Sequence, residues 1–169
     1  IIPEEGHGGT SEIGDCLVFR FDPASGALDP VTDLPEHPNG LAFSPDERSL
    51  LLGGQVNSAF IVDIASRAVT AELDGHRGPV LGAAWSADGT RAFTASEDHV
   101  VRAWDARSGR LLAAFMGHEA PVTCVSVSPD GARLASGATD GIVKVWEVDS
   151  SSHPLVLEVP ADALGDRLE

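Results

Sequence analysis

Short apolar runs alternate with turn sequences along most of this chain, and the pattern predicts an all-β protein. The clearest run is Val122–Val127, which is followed by the turn sequence Ser-Pro-Asp-Gly at 128–131. Valine-rich runs bounded by Pro-Asp or Asp-Gly favour strands joined by tight turns, because extended backbone and turns suit these residue types. Every apolar run is shorter than the roughly 18 residues that suffice to cross a bilayer.

The same order of strands and turns recurs at a nearly constant spacing. Trp104-Asp105 and Trp146-Glu147 each close a predicted strand and lie 42 residues apart, and Val62-Asp63 lies 42 residues before the first of them. Phe21-Asp22 comes 41 residues earlier still. A period of about 40–45 residues with a strand-closing Trp-Asp pair is typical of β-propeller blades, each a four-stranded sheet. We therefore predict a β-propeller segment of three four-stranded blades plus the outer half of a fourth.

The period divides the chain into consecutive units. We predict a glycine-rich loop over 1–14, the outer strands of an incomplete blade over 15–34, a degenerate blade over 35–73, two well-formed blades over 74–115 and 116–159, and a tail over 160–169. Closed propellers have about four to eight blades. We therefore expect the remaining blades to come from a longer chain, of which this would be a fragment, or from self-association through the apolar faces of the end blades.

Charge bears on the partners that such a surface attracts. The chain has 11 Lys and Arg against 26 Asp and Glu, a formal net charge of −15. A field of this sign repels nucleic-acid phosphates and anionic lipid, so we expect neither nucleic acid nor a membrane as partner, whereas a protein with a basic surface is attracted. Cys16 and Cys124 lie in apolar strand patterns without ligand spacing, which predicts buried free thiols and favours a reducing, cytoplasmic location.

The two well-formed units resemble the repeats of the WD-repeat family of seven-bladed propellers. Each has Gly-His ahead of its first strand, an Asp-Gly turn after it, and an aspartate before the strand that ends in Trp. The resemblance implies a hydrogen-bonded network within each blade. The matching residues are His76, Thr94, Asp98 and Trp104 in the first unit and His118, Ser136, Asp140 and Trp146 in the second. The unit over 35–73 lacks the His, the turn Asp and the Trp, so we expect a less rigid blade there.

A serine, a histidine and an aspartate in one unit are also the ingredients of a hydrolase triad. A catalytic set is needed once, however, and this one recurs a period earlier with Thr94 at the position of Ser136. Repetition at a fixed period favours a structural role, and no Gly-x-Ser-x-Gly elbow supports hydrolysis. We therefore predict a non-catalytic protein–protein interaction scaffold, without a cofactor, that forms part of a larger assembly.

The resemblance also implies where such a scaffold makes contacts. Partners should meet the loops that join strands near the central channel. The exposed candidates by position are Arg77 and Glu119, directly after the Gly-His pairs, and Glu97 and Thr139, directly before the turn aspartates.

Two further resemblances imply other functions. Residues 20–46 resemble the gluconolactonase and regucalcin propellers, which implies a metal-dependent lactonase with Asn39 as an oxygen ligand of calcium or zinc. The alternative is that Asn39 and Gly40 open a strand after a turn. The glycine-rich segment 6–14 resembles a loop in propeller exchange factors for the small GTPase of endoplasmic-reticulum export, which implies guanine-nucleotide exchange. The alternative is a plain flexible loop.

Overall fold

The computed structural model describes residues 19–21, 28–30, 38–55, 57–149 and 155–158. These residues form fourteen strands and no helix, and every strand pair is antiparallel. Over the same ranges there is accordingly no helix with the length and apolarity to cross a membrane. The segments 1–14 and 160–169, expected as a loop and a tail, lie outside the described residues.

The strands form one small sheet and three larger ones, which we call blades one, two and three. The small sheet pairs β1 (Phe19–Phe21) with β2 (Leu28–Pro30). Blade one consists of β3 (Pro38–Phe43), β4 (Ser49–Gly54), β5 (Ser58–Asp63) and β6 (Val69–Asp74). Blade two consists of β7 (Val80–Trp85), β8 (Arg91–Ser96), β9 (Val100–Asp105) and β10 (Leu111–Met116). Blade three consists of β11 (Val122–Val127), β12 (Arg133–Ala138), β13 (Ile142–Glu147) and β14 (Leu155–Glu158).

Consecutive strands are neighbours in all three blades, so each blade is a meander that runs from its first strand to its fourth. The first strands of the blades, β3, β7 and β11, lie side by side. The predicted fold class is therefore confirmed: three complete four-stranded blades accompany a two-stranded sheet where half of a fourth blade was expected.

A hydrogen bond from a serine hydroxyl to an aspartate two residues later closes the first hairpin of every blade. In blade three the Ser128 hydroxyl donates to Asp130 Oδ1 at 2.6 Å, and that oxygen also accepts the backbone N–H of Ala132. The equivalent pairs in blades one and two have the same 2.6 Å distance. Because the side chains satisfy the turn backbone, the hairpin register is fixed locally in each repeat.

Blades pack against each other through apolar side chains and close backbone contact. Trp104 of blade two lies in a buried cluster with Leu51, Ile61 and Leu73 of blade one. At the first strands the blades approach so closely that a Cβ on Gly40 would lie 2.8 Å from the carbonyl carbon of Gly82. A side chain at this point would collide with backbone, which explains the glycine.

Within the described residues, blades one and three each have exposed side chains on the face that points away from blade two. Leu41 and Phe43 of β3 are 51% and 66% exposed, whereas Gly40 on the other side of the strand is buried. Cys124 is exposed, so the prediction of a buried thiol is wrong. Its neighbour Val125 packs toward blade two, and since side chains alternate along a strand, Cys124 points away from that blade. Cys16 lies outside the described residues.

Candidate functional site

Strand order brings the candidate residues to one end of the blades. Each chain segment that enters a blade and each turn between its second and third strands emerges at the same end of an antiparallel meander. Segments 75–79 and 117–121 enter blades two and three, and turns 97–99 and 139–141 join their middle strands. We call this end of blades two and three the entry end.

In blade two the structure brings all four matching residues together. The Trp104 Nε1–H donates to Thr94 Oγ1 at 2.8 Å, and that oxygen lies 2.7 Å from His76 Nε2. The other ring nitrogen, His76 Nδ1, lies 3.0 Å from Asp98 Oδ2. Because an indole N–H can only donate, the threonine hydroxyl is free to donate to Nε2, and the histidine then carries its proton on Nδ1.

A fifth member of this network, Arg102, was missed by the sequence analysis. Its Nη1 donates to Asp98 Oδ2 at 2.6 Å and contacts His76 Nδ1. The guanidinium is nearly buried, at 10% side-chain exposure. A signal was present, since Lys144 repeats the positive charge 42 residues later.

The blade-two network ends at the surface. Asp98 Oδ2 also accepts the backbone N–H of Arg77 at 2.9 Å, and Arg77 is exposed. A continuous set of hydrogen bonds therefore runs from the buried indole of Trp104 to a loop residue at the entry end.

The ionisation states in blade two follow from burial and these contacts. Burial lowers the pKa of His76, and this effect outweighs the opposing influence of Asp98. Burial alone would raise the pKa of Asp98, but hydrogen bonds from Arg77, His76 and Arg102 lower it to about 2. The arrangement is thus a neutral imidazole beside an aspartate–arginine ion pair, and the Thr94 hydroxyl, at 0% exposure, is closed to a substrate.

In blade three only three of the four expected residues join the hydrogen-bonded network. The Trp146 Nε1–H donates to Ser136 Oγ at 2.9 Å, and that oxygen lies 2.8 Å from His118 Nε2. Asp140 does not join them: it is exposed, and its Oδ1 accepts the backbone N–H of Ile142 in its own turn. His118 Nδ1 is buried without a hydrogen-bond partner in the described part of the chain.

The cation of blade three explains part of this difference. Lys144 Nζ donates to the carbonyl oxygen of Gly117, and no described contact joins it to Asp140. A guanidinium offers several donors in a fixed plane, whereas an ammonium acts as a single flexible point charge. Arg102 can therefore bind Asp98 while Asp98 also contacts His76, whereas Lys144 makes no equivalent contact with Asp140.

Blade one replaces the polar network with aliphatic side chains. Leu52 and Val62 occupy the positions of Thr94 and Trp104, and both are buried in a small cluster with Leu50. Val56, at the turn-aspartate position, lies outside the described residues.

The four proposed contact residues are all exposed at the entry end. Backbone hydrogen bonds brace two of the turns, from Glu97 N–H to the Pro79 carbonyl at 2.9 Å and from Thr139 N–H to the Pro121 carbonyl at 3.0 Å. The other two contact residues, Arg77 and Glu119, lie in the segments that enter blades two and three. The loops therefore present charged side chains on a backbone that is held in place.

The residues behind the two alternative functions are less informative. Asn39 is exposed as the second residue of β3. Across the described ranges no group of three or more His, Cys, Asp or Glu side chains is arranged to hold a metal ion. The glycine-rich segment 6–14 lies outside those ranges.

Comparison with known proteins gives two matches to one family model. Residues 67–105 and 109–147 match the model described as WD domain, G-beta repeat. These ranges contain every member of the hydrogen-bonded networks in blades two and three.

Curated relatives share part of their length with this chain. The mRNA export factor of Bos taurus is 32% identical over 113 residues, which cover 63% of this chain and 30% of that protein. Centriole proteome protein 16 of Chlamydomonas reinhardtii is 37% identical over 89 residues, which cover 53% of this chain and 4% of that protein. The chain thus spans under a third of the length of these relatives.

A solved structure has the same fold. The structure titled "Structure of U3-55K" superposes with a TM-score of 0.72 at 23% sequence identity, over 76% of this chain and 41% of that one. At this identity the likeness concerns the arrangement of the blades.

Proposed function

Because the chain belongs to the WD-repeat family of β-propellers, we propose that it acts as a non-catalytic scaffold that binds other proteins within a larger assembly. WD-repeat relatives support a protein-interaction role in general terms. The finer proposal is that the entry end of blades two and three is the contact surface, and that further blades are supplied by a longer chain or by another copy.

One observation carries this proposal: the blade-two network ends on an exposed loop. The hydrogen bond from Arg77 N–H to Asp98 ties the loop to the buried histidine and tryptophan. Loops ordered before binding lose less conformational entropy when a partner docks. A rigid blade with exposed charged loops suits recognition of a protein surface.

Charge defines the kind of partner. With a formal net charge of −15 the chain attracts basic surfaces and repels phosphate backbones. We propose a protein partner with a basic contact surface. Glu97 and Glu119, both exposed at the entry end, are the side chains placed to meet it.

A charge-reversal pair tests the surface. The chain is immobilised, bound proteins are captured and identified, and their affinities are measured by calorimetry for Glu97→Lys and for Glu47→Lys. Glu47 is an exposed glutamate in the first hairpin turn of blade one, at the opposite end from Glu97. We expect Glu97→Lys to weaken the captured partner at least tenfold, about 1.4 kcal/mol, and Glu47→Lys to leave it unchanged. Unchanged binding by both variants would refute this surface.

A further inference from the structure

The outermost strand of blade two, β10, is an apolar strand at an open sheet edge. Its sequence, Leu-Leu-Ala-Ala-Phe-Met, contains no charged residue. Leu111, Leu112 and Met116 are 44%, 39% and 68% exposed. β10 pairs with β9, and no described strand pairs with its other edge. Unpaired N–H and C=O groups on such an edge are a template for another strand.

The equivalent strand of blade one is protected. β6 lies 42 residues earlier, and its Glu72 and Asp74 occupy the positions of Ala114 and Met116. Both acidic side chains are exposed. Charged residues on an edge strand prevent unwanted pairing. The same position in the same fold is therefore protected in blade one and open in blade two.

One face of β10 is anchored in the core of the protein. Phe115 is 7% exposed and belongs to the core between blades two and three. Its ring meets that of Trp146 edge to face, with centroids 5.7 Å apart. The open edge is thus presented by an anchored strand.

We propose that β10 binds an extended segment of a partner protein, which adds a fifth strand to blade two. The proposal rests on the scaffold function and names a second contact surface for it. Main-chain hydrogen bonds along the edge would supply affinity, and apolar side chains of the segment would contact Leu112 and Met116.

The surroundings of β10 define the flanks of that segment. The chain that surrounds β10 carries a formal net charge of −15, so the field around this apolar strand is negative. Charge complementarity selects an apolar core flanked by lysine or arginine, and a second copy, with its own net charge of −15, is repelled.

The internal repeat supplies the variant for the test. The triple substitution Leu112→Thr, Ala114→Glu and Met116→Asp copies the exposed face of β6 onto β10 in the same register. Blade one shows that an outer strand with these residues packs normally. Met116→Asp alone, at the most exposed of the three sites, is the second variant.

The probes are synthetic ten-residue peptides with an alternating Val-Thr core. One peptide is flanked by two lysines at each end, one by glutamates, and one carries prolines in its core. Calorimetry should show binding of the lysine-flanked peptide to the native chain and at least tenfold weaker binding to both variants. The other two peptides should bind at least tenfold more weakly to the native chain. Glu97→Lys should bind the lysine-flanked peptide like the native chain, because Glu97 lies in the entry-end turn and not on β10.

Three results would overturn the proposal. They are no binding of the lysine-flanked peptide to the native chain, equal binding to the triple variant, and a native dimer in light scattering that the triple variant abolishes, which would assign the edge to a second copy. If Glu97→Lys loses the captured partner and any one of these three results is also found, the scaffold function is supported and β10 is rejected as its second contact surface.

Discussion

Replacing the turn aspartate by alanine should have very different effects in blades two and three. Asp98 and Asp140 occupy the same position of two successive repeats. In blade two the carboxylate binds Arg102 at 2.6 Å and lies 3.0 Å from His76 Nδ1. In blade three the carboxylate is exposed and accepts one backbone N–H within its own turn.

The magnitudes follow from what each substitution leaves unpaired. Asp98→Ala leaves a nearly buried guanidinium without its counter-ion, which costs about 3–5 kcal/mol when one partner of a buried pair is removed. His76 Nδ1 also loses its acceptor, although the two effects do not add fully. Asp140→Ala removes a single exposed hydrogen bond, worth about 0.5–1 kcal/mol. We therefore expect the unfolding free energies of the two variants to differ by at least about 2 kcal/mol.

Equilibrium unfolding in urea, followed by tryptophan fluorescence and circular dichroism, measures this difference. Coincident transitions by the two probes and an unchanged denaturant slope would show that the native and unfolded states are comparable. The double variant Asp98→Ala/Arg102→Leu serves as a control: removing both charges should recover at least about 1 kcal/mol relative to Asp98→Ala. Equal losses in the two aspartate variants would refute the unequal networks.

Two further predictions concern acid stability and blade packing. Burial holds the pKa values of His76 and His118 below 6.5, so the unfolded chain binds protons that the folded chain does not. The free energy of unfolding should therefore fall as the pH drops below about 6.5. It should fall again between pH 3.8 and about 2. In that range Asp98 is protonated only in the unfolded chain, because its hydrogen bonds in the folded chain outweigh the effect of burial and lower its pKa to about 2. Melting temperatures from pH 7.5 down to pH 2 measure this, and a constant value would contradict it. Gly40→Ala should destabilise the fold by about 1–3 kcal/mol in urea unfolding, because the added Cβ meets the backbone of Gly82 at 2.8 Å; an unchanged midpoint would show that the blades can separate freely.

The fold could be predicted largely because the chain repeats itself. The apolar run Val122–Val127 coincides with strand β11, and β7 lies one 42-residue period earlier, at Val80–Trp85. The outer strand of blade two, Leu111–Met116, pairs less regularly than the repeat alone would predict. A bulge between Leu111 and Ala113 shifts its register, and such an irregularity leaves little trace in a hydrophobic pattern.

The details of the candidate site were harder to predict because they depend on neighbours. Asp98 and Asp140 are the same residue type at the same position of their repeats, yet their contacts differ. Arg102 binds Asp98 in blade two, whereas Lys144, its counterpart in blade three, binds the carbonyl of Gly117. Cys124 has the apolar context of a buried strand, yet its exposure depends on whether another blade covers that face. Sequence periodicity reports the repeated unit and not the contacts that differ between copies.

Hydrogen exchange at the tryptophan indoles tests the central claim most directly, which is that the repeated His, Ser/Thr and Trp residues hold the blades together. The Nε1–H groups of Trp104 and Trp146 are observed by nuclear magnetic resonance in heavy water and assigned with Trp→Phe variants. We predict that both protons exchange only through global unfolding, since each is donated to a buried hydroxyl. Exchange of both within minutes, in a chain that remains folded by circular dichroism, would contradict it.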